Sequence, residues 1–224
     1  MYTVMIWHRN NIVSKVIVSD SKEHEKRAIA AYCSVVLELI KDSKLSTVKA
    51  VNIWTDGQSS QFKNKYIFNL LLKLSSTYGL RVCWNYFATS HGKGPVDALG
   101  GNVERLAHRQ MLSRQTVIVD AVFFGDAVRR ANSNILIYCM PEEEISTRCR
   151  GLCVDEMWKV TIAVRGTMNM HFVNVVGSAI HCKFYGSSDD VKIYHIPDAN
   201  AIPTEKVATV PVVSDIPAVF HVLG

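Results

Sequence analysis

Two stretches of this sequence bring together side chains whose types could do chemistry on a phosphate. The first is Ile53-Trp54-Thr55-Asp56-Gly57-Gln58-Ser59-Ser60-Gln61-Phe62-Lys63-Asn64-Lys65. An aspartate at the end of an apolar run is well placed to ligate a metal ion, because a strand fixes its backbone. The glycine after it lets the chain turn away from a substrate phosphate. A turn or helix-capping aspartate has the same local sequence. The second stretch runs from Trp84 to Arg105 and contains Ser90-His91-Gly92-Lys93-Gly94-Pro95-Val96-Asp97. Small residues around His91, Lys93 and Asp97 allow a ligand to approach the backbone closely. Asp97 also falls in the first turn of an expected helix, where the dipole favours a carboxylate whether or not it ligates anything.

Charge follows the same region. Between Gln61 and Arg114 eight basic residues (Lys63, Lys65, Lys73, Arg81, Lys93, Arg105, Arg109, Arg114) face two acidic ones, Asp97 and Glu104. Such an excess suits a polyanion, because neutralised phosphates release counterions; a solvated helix face produces the same count. Elsewhere the signals are weaker. Cys149 and Cys153, with His171, His181 and Cys182 downstream, contain zinc-ligating atoms at irregular spacing, which reads as buried thiols before it reads as zinc. Glu142-Glu143-Glu144 reads as a solvated charge run.

The elements that must position these residues follow from periodicity. Tyr2 to Trp7 and Ile12 to Ser19 are rich in β-branched and aromatic residues and flank Arg9-Asn10-Asn11, so they predict a hairpin. Ser21 is a plausible N-cap for a helix that buries Ile29, Cys33, Val36, Leu37 and Ile40 and ends near Ser43. Lys49 to Trp54 predicts a buried strand, Lys63 to Thr77 a helix closed by Gly79, and Arg81 to Ala88 a further strand. Helices are expected over Val96 to Leu112 and Val119 to Ala131. Beyond Asn134 the pattern changes to short β-like runs: Ile135–Tyr138, Trp158–Val164, His171–Val176, Ile180–Phe184 and Val191–Ile196. Three units result: a core over 1–133, a small antiparallel β unit over 134–196, and an irregular, proline-interrupted tail over 197–224.

Composition limits the class. The chain has 224 residues, 48% hydrophobic and 20% charged, with net charge +5, the balance of an ordinary globular protein. No apolar run reaches the roughly 18 to 20 residues of a membrane span, and the N-terminus lacks a signal-peptide pattern. Six dispersed cysteines argue for reduced thiols. The expectation is an intracellular protein, nuclear or cytoplasmic, with no membrane partner.

The two central motifs resemble those of a metazoan group of transposon-derived proteins, with pattern Ser-Asp-Gly-x-x-Ser-Gln-Phe-Lys-Asn and then Trp-x-Phe-Phe-Ala-Thr-Ser-His-Gly-Lys-Gly-x-x-Asp-Gly-x-Gly-Gly. The resemblance covers about Tyr2 to Gln110 and includes Val18-Ser19-Asp20 followed by His24 and Lys26. It implies a DDE-type nuclease of ribonuclease-H-like α/β fold, a mixed sheet with flanking helices. Three antiparallel strands precede the first helix of that fold, after which strands and helices alternate; here one strand is missing at the front. It also implies acidic residues that hold Mg²⁺ or Mn²⁺ for attack on a DNA phosphodiester. Asp56 matches the middle acid and Asp97 the third, making both catalytic and metal-binding candidates. Glu104 is the rival for the third position, although the family often carries lysine there. Lys63, Lys65, His91, Lys93, Arg105 and Arg109 are then the nucleic-acid-binding candidates.

Two departures matter. Ala98 replaces a usual glycine, and the family's aspartate-phenylalanine-x-glutamate-asparagine segment, expected on the first strand, is not in this sequence. Asp20 substitutes for that acid only if its strand runs beside the Asp56 strand. The resulting expectation is a truncated, catalytically incomplete transposase-derived domain that retains nucleic-acid binding. Its alternatives are an active metal-dependent nuclease or a domesticated interaction module, in which a missing strand leaves an exposed edge for homo-oligomerisation.

Overall fold

The computed structural model describes residues 1–21, 26–42, 47–87, 94–113, 117–132, 134–195 and 218–223. The expected hairpin forms: β1 (Tyr2–His8) and β2 (Asn11–Val18) pair antiparallel from Tyr2↔Ile17 to His8↔Asn11. Strand alternation splits their side chains between two cores. Tyr2, Val4, Ile6 and Ile17 pack into one, while Val16 and Val18, with Met5 against them, pack into the other.

Helix α1 (Lys26–Asp42) buries Ile29, Cys33, Val36, Leu37 and Ile40 at helical spacing. β3 (Ala50–Thr55) and β4 (Arg81–Tyr86) run parallel in register from Ala50↔Arg81 to Thr55↔Tyr86. The crossover between them is α2 (Lys65–Tyr78), whose N-cap Asn64 accepts from the amides of Tyr66 and Ile67 at 3.1 Å. It ends at Gly79, in the left-handed region at φ 61, where a side chain would strain the backbone. The second layer is α3 (Pro95–Leu112) and α4 (Ala121–Ala131), followed by the short strand β5 (Leu136–Cys139). Helices α5 (Glu142–Gly151) and α6 (Val154–Lys159) come next, and strands β6 (Phe172–Val176), β7 (Ala179–Lys183), β8 (Val191–His195) and β9 (Ala218–Leu223) complete the fold.

Among the described residues, nine strands join one mixed sheet in the order β5-β2-β1-β9-β3-β4-β6-β7-β8. Helices α1, α2, α5 and α6 cover one face around the larger core; α3 and α4 cover the other. No helix among the described residues is long and apolar enough to cross a membrane.

Several sequence expectations are corrected here. Within residues 197–224, expected to be irregular throughout, β9 lies at the centre of the sheet, antiparallel to β1 and parallel to β3. β9 thus fills the place between β1 and β3. Residues 134–196 do not stand apart: β5 extends one edge of the sheet, parallel to β2, and β6 to β8 extend the other. Trp158 ends up in α6 rather than in a strand, with its indole donating to the Tyr66 carbonyl at 3.1 Å. The acids Glu142 to Glu144 form the first turn of α5, where the dipole favours them. Glu144 also bonds Arg148 at 2.7 Å, and Arg148 reaches across to Glu38 of α1 at 2.8 Å, tying the two helices together. Ser21 precedes α1, but residues 22–25 lie outside the described residues, as does the Ser43 end of the helix.

Helix and sheet approach closely at Gly125 of α4. A Cβ there would sit 2.6 Å from Cys139 Sγ and 3.1 Å from Ile137 Cγ2, both on β5. Gly125→Ala is expected to lower stability by about 1–3 kcal/mol, the range for forced overpacking, despite alanine's better helix propensity. A urea-unfolding midpoint equal to or above that of the parent would show that α4 does not rest on β5.

Candidate functional site

Asp56 follows directly on β3, at the end of the sheet where Thr55 pairs with Tyr86 of β4. Val51, Ile53 and Thr55 point into the larger core, so Trp54 and, by continued alternation, Asp56 face the side that α3 covers. The strand end is firmly held. Trp84 donates its indole N–H to Thr55 Oγ1 at 2.9 Å, and the Tyr86 hydroxyl donates to the Phe62 carbonyl at 2.9 Å. The turn after Asp56 closes through Phe62 and Lys63 amides donating to the Gln58 carbonyl at 2.8 and 3.2 Å. Asn64 anchors the far side by donating to the Ser59 carbonyl at 3.1 Å.

Asp97 reaches this end of the sheet from the first turn of α3. It accepts from the Gly94 amide at 2.8 Å, so it has the helix-start role its position allows. Its charge also acts on Asp56. The half-buried Asp56 carboxyl titrates above its ordinary range, mainly because burial penalises its charge; the Gln58 amide opposes this and the Asp97 carboxylate adds to it. The two acids are thus near enough for the charge of one to act on the other.

The other candidates separate. Glu104 is exposed on α3 and acts electrostatically on the Met1 amino group, which lies at the start of β1. Asp20 is held elsewhere: it accepts from the Ala121 amide at 2.8 Å, capping α4. Its strand β2 is separated from β3 by β1 and β9, roughly 14 Å at ordinary strand spacing. Lys63 is not a surface cation. It is only 4% exposed, its stem lies under Gly57, and its ammonium sits 5.2 Å from the Tyr86 ring centre. Burial lowers its pKa. Its position in the nucleic-acid set is thus corrected: it supports the Asp56 turn from below. Lys65 is partly exposed over the Tyr66 ring, and Arg105 and Arg109 are exposed one turn apart on α3, with His108 beside them. These three side chains are free to meet solvent-borne anions. His91 and Lys93 lie outside the described residues.

Zinc finds no set of ligands. Cys149 is buried and Cys153 exposed, and no group of three or more His, Cys, Asp or Glu side chains among the described residues could hold a metal ion. Sequence reasoning missed an aromatic cluster beside the site. His171 Nδ1 lies 3.1 Å from the Tyr86 carbonyl and its ring stacks on Tyr185 at 5.6 Å; Phe184 meets Tyr185 edge-on at 4.5 Å. Phe184 and Tyr185 are 48% and 54% exposed, unusual for rings so closely packed. The Phe-Tyr pair at the end of a β run was the available signal, but nothing in the sequence places it next to β4.

The chain belongs to the family described as a domain of unknown function (DUF8701), whose model matches residues 1–186. Neither a curated protein nor a solved structure matches it.

A carboxyl with a higher pKa in the folded than in the unfolded chain holds its proton more readily when folded. Its contribution is therefore most favourable in acid and declines as pH rises from the ordinary carboxylate range through the raised folded value. Removing the Asp56 charge removes that decline. Asp56→Asn should melt at higher temperature than the parent at neutral pH, with the gap closing toward about pH 3. Equal melting temperatures at neutral pH would mean that Asp56 is not under the strain described.

Proposed function

We propose that the chain is a transposase-derived, ribonuclease-H-like domain that has kept a nucleic-acid-binding surface and lost strand cleavage. The observation that carries this reading is that Asp56, just after a strand end, feels the charge of Asp97, in the first turn of a helix. These residues lie in the two motifs that resemble the transposon-derived group. The sheet supports the same reading. In a ribonuclease-H-like core the first strand runs beside the strand that bears the middle acid, and here β9 runs beside β3.

The loss of cleavage follows from the donor set. Two-metal attack on a phosphodiester needs carboxylates that bridge and position both ions. Among the described residues no third ligating side chain joins Asp56 and Asp97, and one Asp97 oxygen is engaged by Gly94. The neighbouring strand reads Ala-Val-Phe-His-Val-Leu and carries no acid. This set does not fit a pair of Mg²⁺ or Mn²⁺ ions, and no cleavage step is derived through them. What remains is a basic, sequence-independent contact with DNA through Lys65, Arg105 and Arg109, in an intracellular protein.

Two measurements test this. A supercoiled plasmid incubated with the full chain and Mg²⁺ or Mn²⁺ should stay intact; metal-dependent nicking that disappears in Asp56→Ala would overturn the inactive assignment. DNA affinity measured by fluorescence anisotropy should fall steeply with salt. Charge reversal of Lys65, Arg105 and Arg109 should weaken binding to unrelated sequences alike and reduce the salt slope by about one per contact. Affinity that stays flat from low to high salt would remove phosphate contact as its source.

A further inference from the structure

The slot between β1 and β3 has an unusual tenant. Its walls never pair with each other; both pair with β9, through Thr3↔Leu223 to Trp7↔Val219 on one side and Val51↔Ala218 to Thr55↔Val222 on the other. We propose that this slot is a strand-acceptor site, in which residues 218–223 act as a donor arm that needs no covalent connection to stay bound and that exchanges with the same segment of a second copy of the chain.

Three observations carry this. First, the walls require an occupant. Val4, Ile6, Val51 and Ile53 are wholly buried, so an empty slot would leave buried backbone groups of both strands without partners. An extended segment lying between them satisfies both rows, and β9 does so antiparallel to β1 and parallel to β3. Second, both walls lie within the family match, residues 1–186, while the occupant lies outside it. The acceptor therefore belongs to the shared part of the chain and the donor does not. Third, the arm comes from the far edge. β8 is five strand spacings from β9, about 24 Å, whereas residues 196–217 could reach about 70 Å fully extended. The number of residues in the connection exceeds what that distance requires. Arms supplied in cis and in trans make identical ladders and differ only by the effective concentration of the tether, on the order of mM for a short linker. This is strand addition used to complete a sheet from inside rather than at its edge.

The test uses the full chain with a specific protease site placed within residues 203–208 and cut after folding. The released arm is expected to co-elute with the body on gel filtration. The melting temperature of the cut protein should become concentration-dependent, and about a tenfold excess of fluorescent peptide 216–224 should replace roughly nine-tenths of the arm by mass action. In a second experiment, copies carrying Met5→Cys and copies carrying His221→Cys are unfolded together and refolded at high concentration. A short bis-maleimide should then join them as a heterodimer linked between positions 5 and 221, which are register partners. Three results would overturn the proposal. The arm could wash away with no change in melting temperature, or the protein could unfold on cutting. The arm could also stay bound yet never exchange with peptide or with a second copy.

Discussion

Backbone hydrogen bonding at the middle of the sheet is the constraint on which the rest of this structure depends. Nine strands form one surface only because β9 offers one row of donors and acceptors to β1 and the other to β3. Without it the sheet would be two pieces, β5-β2-β1 and β3-β4-β6-β7-β8, each presenting a raw edge beneath the helices. Buried N–H and C=O groups have no water to turn to, so the cost would fall on every pairing position. The two helical layers also rely on this continuity. The helices α1, α2, α5 and α6 bury one face across both halves, and α3 touches β1 and β9 together.

The candidate site inherits its geometry from that sheet and its electrostatics from the helix above it. Alternation along β3 sends Asp56 toward the face that α3 covers, and Asp97 lies in the first turn of α3. Burial is the main reason the Asp56 pKa is raised, and the Asp97 charge adds to it. Below the turn, the ammonium of Lys63 is spent on the Tyr86 ring and the underside of Gly57 rather than on a surface anion. The turn is thus braced from below by Lys63, with the half-buried Asp56 carboxyl at its start.

Much of this could be read from the sequence where local pattern decides the outcome. The hairpin, α1, β3, α2, β4, α3 and α4 follow from periodicity, capping residues and Gly79, and the structure places each within a few residues of its expected bounds. Of the candidate site, the sequence pattern determines what is local: Asp56 follows a strand and Asp97 lies in the first turn of a helix. The failures have physical causes. Helix α5 buries only Ile145 and Cys149, too thin a stripe for a periodic signal, although its acidic first turn and its arginines at the other end match the helix dipole. Trp158 and the residues after it form a short apolar run, which alternation and helical spacing fit equally well. The burial of Lys63 depends on Tyr86, a residue from another element, and the role of β9 depends on partners at the opposite end of the chain; neither is a local property.

The order in which the sheet is written into the chain has a cost in time. At about 5–20 residues per second, Ala218 is synthesised roughly 8 to 33 seconds after Val51, the residue it pairs with. Throughout that interval β1 and β3 are out of the ribosome's active centre with no partner along one side, and the helices that will cover them have nothing continuous to settle on. Translation speed, chaperone supply and the crowding of nascent chains on one message therefore act directly on how much of this protein reaches its native state. The central strand makes the yield of the fold a matter of protein synthesis as much as of sequence.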